Sequence, residues 1–565
     1  MKFNVLLFVT SLLLTVPNLL AQTSNGYMGL INYALDAADQ AESIGQQQEV
    51  LKLFDSAFSQ YPDSIETVGL YAASTAAATL GEKDKAFNYL NQLLLQGKDS
   101  YGLEGWFHII YGESEEDFNN LKDDTRWSTL IAQAYSKQKA FMAQLSRHEE
   151  EFYLTNSYLE QEKSKASNEE LYQLLRNDSR FLDKQEREYS LSLTVNDSIQ
   201  TSFFVLLPKD YDSRKQYPLL FFLHGAVKQN QFVDFLTKEE VQFQCGKFIP
   251  KIAERNEVIL VFPKANKQYN WMNPDDGFFM VPTILNKIKH SINVDDNRVF
   301  ILGHSNGATG SFSYLMKQPS SFAGFYGFNT YPKVFTGGTF IQNILNRSYM
   351  SITTNLDYYY PPKANDSLSR LMHEIGADYK ECRYVGFPHW FPQLDESESA
   401  VELLFDDIGV RTRNPFHSRI TWEFDDNRYG TIDWVTEAKL DTISPKATWH
   451  SRSENFDIKE WLKYDERDSL VVVPVEKKGF DFPRSSGKIV AEYADNIFRV
   501  KTSCISFFCI NISPEMVDMS KPVVIYWNNK LYYSGIIPID RDFMLRDIQE
   551  RRDRKCLWVN RICVQ

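Results

Sequence analysis

The sequence predicts a multidomain chain: a helical, repeat-like N-terminal domain, a central α/β domain whose mostly parallel sheet is covered on both faces, and a β-sandwich-like C-terminal domain. Three observations predict it. Residues 25–180 carry apolar positions at helical spacing. Residues 186–411 alternate apolar strand runs with helical patterns. From about 415 short strand patterns follow one another, with no strong helix before Phe543. A chain of 565 residues exceeds what one hydrophobic core supports, so about three domains are expected. Their expected limits are 1–21 for an export signal, 22–185 for the helical domain and linker, 186–411 for the α/β domain and 412–565 for the β-rich domain.

Lys2 gives a positive start, Val5 to Val16 is largely apolar, and Ala21 fits the last position before a cleavage site, which together read as a secretory signal. Export to the periplasm or beyond is the expectation, with no membrane span after signal removal, because no later run is long and apolar enough. Ala34, Ala37, Ala38 and Ala41 share a helical spacing before Gly45. Val50, Leu51, Phe54, Ala57 and Phe58 form a second face ended by Tyr61-Pro62, Leu70 to Leu80 a third closed by Gly81, and Ala86, Tyr89, Leu90 and Leu93 a fourth ended by Gly97. Short helices with small contact residues, punctuated 36 residues apart at Gly45 and Gly81, resemble a degenerate tetratricopeptide-type array of two units, expected to serve as a packing module or as a docking module for a protein partner. Residues 145–185 are polar and charge-rich and read as a helical linker.

In the α/β region the strand runs are Glu188–Val195, Thr201–Leu207, Leu219–Leu223, Val258–Phe262, Val299–Leu302, Ala323–Phe328, Tyr349–Thr353 and Cys382–Gly386, with helical patterns such as Lys238–Arg255 and Gly277–Ser291 between them. Apolar, non-alternating strands separated by helices imply a parallel sheet, and the first pair, joined at Asn196-Asp197, implies an antiparallel hairpin at one edge. The β-rich region offers Ile420–Phe424, Val471–Val475, Lys488–Tyr493, Ile497–Val500, Cys504–Ile512, Val523–Trp527 and Leu531–Ile537, with Asn528-Asn529 as a tight turn and a helix over Phe543–Arg554.

Composition narrows the function. A formal charge of -13 with no long basic run argues against nucleic acid as a partner. Hydrophobic content of 43% and charged content of 24% fit a soluble globular chain, and the 14% aromatic content is high enough to serve both cores and a binding surface. Six cysteines are too sparse for a disulfide scaffold. Cys504/Cys509 and Cys556/Cys563 are close enough in sequence to pair locally, though spacing does not decide connectivity, and neither set has a zinc spacing. No metal and no cofactor is expected.

The most informative stretch is Gly303-His304-Ser305-Asn306-Gly307, a G-x-S-x-G pattern between the apolar strand Arg298–Leu302 and the helix-compatible run Ala308–Lys317. A serine on a sharp strand-to-helix turn has its hydroxyl exposed at the end of the sheet, and the flanking glycines make that turn sterically possible. The hydroxyl needs a base, and the base an orienting acid, which on such folds follow in the order Ser, Asp or Glu, His. Asp357 lies just past the strand Tyr349–Thr353. His389 follows Cys382–Gly386 in the loop Phe387–Pro392. Both fall at carboxyl ends of strands, the edge where open α/β sheets place their sites. His373 sits inside a helical pattern, His417 and His450 fall in the β-rich region, and His304 is read as support for the turn. An oxyanion hole requires two backbone donors. The amide of Asn306 is one, and the amide of Ala226, in His224-Gly225-Ala226 directly after the apolar strand Leu219–Leu223, is the other.

Tyr217–Gly225, Asp295–Val299 running into Gly-His-Ser-Asn-Gly, and Phe322-Ala323-Gly324 resemble the α/β-hydrolase superfamily, and within it the group of feruloyl and acetylxylan esterases and polyhydroxybutyrate depolymerases. The resemblance covers about residues 186–411. It implies ester hydrolysis through an acyl-enzyme, with Ser305 as nucleophile, His389 as base and Asp357 as orienter. Asn306-Gly307-Ala308 departs from the Met-Gly-Gly common in that group. The expected substrate is a small-molecule or carbohydrate ester, feruloyl esters included, and among the loop aromatics Trp271, Tyr358 and Trp390 are expected to contact it. Two alternatives stay open: a serine peptidase of the prolyl-oligopeptidase type, and a non-catalytic exported binding or scaffold protein on a hydrolase fold.

Overall fold

β3 (Tyr217–Leu223) is apolar nearly throughout and buried at every position because it lies inside a sheet with both faces covered. The computed structural model describes residues 26–112, 117–155, 166–196, 199–226, 234–272, 275–450 and 454–565, so the export signal expected over 1–21 lies outside the described residues, as does most of the Asn196-Asp197 turn. Ahead of β3 stand β1 (Glu188–Asn196) and β2 (Ile199–Leu206). After it come β4 (Ile259–Pro263), β5 (Val294–His304), β6 (Gly324–Phe328), β7 (Ser348–Thr354) and β8 (Tyr379–Tyr384). They form one sheet in the order β1-β2-β4-β3-β5-β6-β7-β8. β1 with β2 and β2 with β4 are antiparallel, and every pair from β4 to β8 is parallel. The period of two sorts the side chains: Leu219, Phe221, Val299 and Ile301 enter one core, and Leu220, Phe222, Phe300 and Leu302 enter the core on the opposite face. The helical run expected over Lys238–Arg255 is two helices, Lys238–Cys245 and Phe248–Arg255. They break at Gly246, whose φ is 76° and where a Cβ would stand 2.4 Å from the Pro392 carbonyl oxygen.

The chain divides into two compact units, one running to Arg147 with Thr237–Glu240 added, the other comprising His148–Leu236 and Val241–Gln565. In the first, helices Tyr27–Gln40, Ile44–Gln60, Thr67–Thr79 and Lys83–Leu95 follow one another. Ser43 and Gln46 form a reciprocal capping box at the start of the second. Gly69 in the third lets that helix approach closely, since a Cβ there would meet the Tyr27 hydroxyl at 2.9 Å. Asp55 accepts from both Tyr89 and Lys85, tying the second helix to the fourth.

In the second unit the region after the eight-stranded sheet carries β9 (Arg419–Phe424), β10 (Val435–Leu440), β11 (Asp457–Tyr464), β12 (Leu470–Lys478), β13 (Gly487–Ala494), β14 (Ile497–Ser503), β15 (Ile505–Ile512), β16 (Val523–Trp527), β17 (Lys530–Gly535) and β18 (Asn560–Val564). A five-stranded sheet, β17-β16-β14-β13-β9, and a three-stranded one, β10-β15-β18, share one core that includes Trp422, Ile489 and Phe498 from the first and Val435, Phe508 and Ile510 from the second. The region is β-rich as expected, with two layers over one core, and β14 and β16 run parallel. β10, β11 and β18 add to the strands expected, and the helix spans Arg541–Arg551. Asn528 and Asn529 adopt φ of 47° and 66°, as a two-residue hairpin turn demands. The local cysteine pairings do not form. Cys509 and Cys563 are register partners on neighbouring strands and make the disulfide, while Cys504 and Cys556 remain thiols.

This domain is fastened to the strands that carry the site. The side-chain amide of Asn343 donates to the Glu423 carbonyl and accepts from the Glu423 N–H, both at 2.9 Å, and Asn346 donates to the Thr421 carbonyl at 2.7 Å. These amides occupy backbone groups of β9 that a further strand would otherwise take. Arg347, one residue before β7, forms a buried bidentate pair with Asp433 at 2.5 and 3.0 Å. Burial opposes ionisation of Asp433, but Arg347 and His417 outweigh it and hold its carboxyl below the usual range. Near the chain end, Arg413 grips Asp553 with both terminal nitrogens, and Arg554 donates to Asp296 and Asn293 beneath β5.

Candidate active site

β5 ends at His304 and a helix begins at Asn306, leaving Ser305 alone at the bend. Its backbone is at φ 58° and ψ -120°, outside the regions an L-residue prefers and costing about 1–3 kcal/mol, so surrounding contacts must hold it there. They are explicit. The Ser305 N–H donates to the Phe328 carbonyl at 3.1 Å, and its carbonyl accepts from the Thr309 N–H at 3.0 Å. The glycines are obligatory: a Cβ on Gly303 would lie 2.1 Å from the Gly307 carbonyl carbon, and one on Gly307 would lie 1.8 Å from the Leu223 carbonyl oxygen. Ser305 itself is only half-buried.

Asp357 follows β7 and His389 follows β8. The structure joins them: His389 Nδ1 and Asp357 Oδ1 are 2.9 Å apart, with both side chains buried. The same Oδ1 accepts from the Tyr359 N–H at 2.9 Å. A carboxylate only accepts, so Nδ1 carries the proton and Nε2 has a free lone pair. That Nε2 is buried and has no hydrogen-bond partner. Leaving a buried polar atom unpaired costs about 1–3 kcal/mol, an expense that a functional atom explains.

Two further residues tie the histidine loop to the serine turn. His304, adjacent to Ser305, donates from Nε2 to the His389 carbonyl at 2.8 Å. Burial first, and His389 beside it second, push its pKa down to about 3, so it is a neutral, permanent donor. The sequence places it as support for the turn, and its contact reaches the His389 loop as well. Asn329, absent from the sequence-based set, sits at φ 52° just past β6. Its Nδ2 donates to the His389 carbonyl at 2.7 Å, and its Oδ1 accepts from the Thr354 N–H at 3.0 Å. One asparagine thereby links the ends of β6 and β7 and the loop after β8. The only signal available was an asparagine directly after an apolar strand, a residue type that tolerates left-handed backbone.

The turn after β3 lies against the serine. A Cβ on Gly225 would be 3.1 Å from the Ser305 Cβ and 3.2 Å from the His304 carbonyl oxygen. Ala226 follows at φ 46° and is exposed, and Asn306 opens the helix Asn306–Lys317 with its amide in the first turn. The His224 Nδ1–H donates to the Gly225 carbonyl at 2.7 Å while its Nε2 accepts from the Ala265 N–H at 3.1 Å, and burial, then Lys264, bring its pKa down to about 3. A neutral imidazole therefore braces this turn.

The aromatic expectations divide. Tyr358 and Trp390 are partly exposed beside the pair: Tyr359 packs on His389 at 4.4 Å between ring centres, Tyr358 stacks on Tyr359 at 4.3 Å, and Trp390 meets His389 edge-on at 5.7 Å. Trp271 is a correction. It is 0% exposed, lying over Gly310, where a Cβ would come within 2.4 Å of its ring, and edge-on to His224 at 4.9 Å. The gap left by a glycine in the helix takes the indole inward, so Trp271 braces the turn after β3 instead of facing a substrate. Among the described residues, no group of three or more potential ligands could hold a metal ion, and no helix is long and apolar enough to cross a membrane.

A mainly parallel sheet with two antiparallel strands at one edge, a strained serine at the end of β5 and a buried Asp-His pair beyond β7 and β8 define an α/β-hydrolase domain. Residues 196–331 match the model of a family described as putative esterase. Solved structures similar to the chain include a thermostable esterase (21% identity, 40% of this chain and 64% of that one, TM-score 0.33). Others are the S-formylglutathione hydrolase FrmB from Staphylococcus aureus (13% identity, 40% and 100%, TM-score 0.31) and a ferulic acid esterase (15% identity, 40% and 98%, TM-score 0.31). The chain thus spans just under two thirds, 64%, of the length of the thermostable esterase. No curated protein sequence matches the chain.

Proposed function

We propose that the protein is an exported serine esterase that cleaves carboxylic esters through an acyl-enzyme, with Ser305, His389 and Asp357 as a catalytic triad. One observation carries this reading: a buried imidazole held by a carboxylate through Nδ1 presents an unpartnered Nε2 at the sheet edge where a strained, accessible serine stands. Ser305 Oγ attacks the ester carbonyl carbon as His389 Nε2 takes its proton. Asp357 stabilises the imidazolium that forms. The amides of Asn306 and Ala226 receive the negative charge on the carbonyl oxygen. The imidazolium returns its proton to the departing alcohol, and water, activated by the same nitrogen, releases the acid.

Small-molecule or carbohydrate esters, with feruloyl esters among them, are the substrates this reading favours, because aromatic rings flank His389. Export is supported by the signal-like start of the sequence and by the Cys509–Cys563 disulfide, a bond that persists in oxidising compartments. The helical N-terminal unit, read as tetratricopeptide-like, supplies a surface for a protein partner. The deciding experiment compares wild type with Ser305→Ala on short acyl esters and labels both with a fluorophosphonate. Wild type is expected to turn over and to be labelled, and the variant to do neither while remaining folded. A fully active alanine variant, or a wild type that is neither active nor labelled, overturns the reading.

A further inference from the structure

We propose that the β11–β12 hairpin, although it belongs to the C-terminal β domain, forms part of the catalytic rim and selects esters that carry a ring beyond the scissile bond. The proposal rests on the assignment of Ser305 and His389 given above. The hairpin is a two-stranded ribbon separate from both sheets of the sandwich. Such a ribbon is marginal alone and needs a surface to cover one face. The surface it uses is the segment directly after the orienting acid. Trp461 donates its indole N–H to the Tyr358 carbonyl at 3.1 Å, and its ring meets Tyr360 at 6.0 Å and Tyr331 at 6.2 Å. Ile458 packs with Tyr360 and Ala364 in a small separate core. Tyr358 is thereby clamped by its backbone, directly before Tyr359, whose amide holds the Asp357 carboxylate.

The rings continue outward from the catalytic histidine without a gap. Tyr359 covers the imidazole at 4.4 Å, Tyr358 covers Tyr359 at 4.3 Å, and Tyr464 at the end of β11 meets Tyr358 edge-on at 5.2 Å. Packing alone would bury such a series, yet Tyr359 is 48% and Tyr464 53% exposed. Exposed aromatics in an unbroken file beginning on a catalytic group are suited to the substrate that reaches that group, and a flat ring with an apolar face is the chemistry they accept. A pyranose and an aryl group both present such a face. Continuity with His389 makes the substrate, and no separate protein, the occupant of this shelf.

Tyr464→Ala tests it, with Val472→Ala, at an exposed position on the partner strand, as the control. Rates are measured on ethyl acetate, on an acetylated xylo-oligosaccharide and on methyl ferulate. Tyr464→Ala is expected to stay within about two-fold of wild type on ethyl acetate and to lose about five- to ten-fold in kcat/KM on a ring-bearing ester, with Val472→Ala unchanged throughout. Loss on the sugar ester alone assigns the shelf to a glycosyl ring, and loss on the ferulate alone assigns it to an aryl ring. Equal loss on all three esters, or no loss on either ring-bearing ester that wild type hydrolyses, overturns the proposal. A wild type inactive on every ester tested alongside fluorophosphonate labelling strikes the esterase reading instead.

Discussion

Asp357→Asn measures what the carboxylate does for the base. Asp357 Oδ1 receives two donors, His389 Nδ1–H and the Tyr359 N–H, each at 2.9 Å. In the variant both donors still require an acceptor at that point, so the amide oxygen takes it and the imidazole keeps its tautomer. Only the charge is lost. An imidazolium about 4 Å from a carboxylate gains about 4 kcal/mol at an effective dielectric constant near 20, which corresponds to about a thousand-fold in rate. A flipped amide would instead set N–H against Nδ1–H and cost about ten thousand-fold through the wrong tautomer. The assay is kcat on a short acyl ester for wild type, Asp357→Asn and Asp357→Ala, with Ser305→Ala as the floor. Asp357→Asn is expected about a thousand-fold below wild type and above Asp357→Ala. A variant within about ten-fold of wild type would refute the electrostatic role, and one slower than Asp357→Ala would refute the tautomer argument.

Asn329→Ala removes the donor to the His389 carbonyl, orphans the buried Thr354 N–H and places alanine at φ 52°. A loss of about 3 kcal/mol in urea unfolding and a fall in kcat with little change in KM are expected. Asn329→Gly, free of the backbone strain, should recover part of the stability and little of the rate. His224 and His304 are held neutral with pKa values near 3, below the unfolded value of 6.5. The unfolded chain therefore binds the extra protons, and the stability these residues confer, complete above pH 6.5, drains as pH falls from 6.5 toward 3. Melting temperature recorded over that range should drop steeply, and His224→Asn should flatten the curve. Cys509→Ser/Cys563→Ser opens a loop of 54 residues, worth about 4 kcal/mol in the chain-entropy model, and should lower the melting temperature of the β domain to that of dithiothreitol-treated wild type.

The serine turn and the strand ends around it were legible because their constraints are local. A strand-to-helix turn that admits only glycine on either side of the serine writes itself as G-x-S-x-G, and apolar runs between helical patterns mark strands whose ends are where Asp357 and His389 fall. The register of contacts across distant segments was not legible. Trp271 sits in a polar loop and reads as a rim aromatic, and only the absence of a side chain at Gly310, on another element, turns it inward. Asn329 carries no pattern, since its partners lie 25 and 60 residues away. Cys563 is close to Cys556 in sequence, but pairing between β15 and β18 sets it opposite Cys509. β11 alternates weakly and mixes charge with aromatics, so its value as a ribbon depends on a surface that no local window contains.

The residues around Asp553 and Arg554 have a consequence for how the molecule is made. Lys289 and Asp296, both buried and 2.8 Å apart, belong to the catalytic domain, yet their remaining partners come from the last thirteen residues of the chain. During synthesis the α/β portion leaves the ribosome before those residues exist, with the Lys289–Asp296 pair at the foot of β5 still lacking the Asp553 and Arg554 partners that complete it. An excised 186–411 fragment would inherit that unfinished state permanently, which makes the C-terminal domain a folding partner for the enzyme and not a detachable appendage.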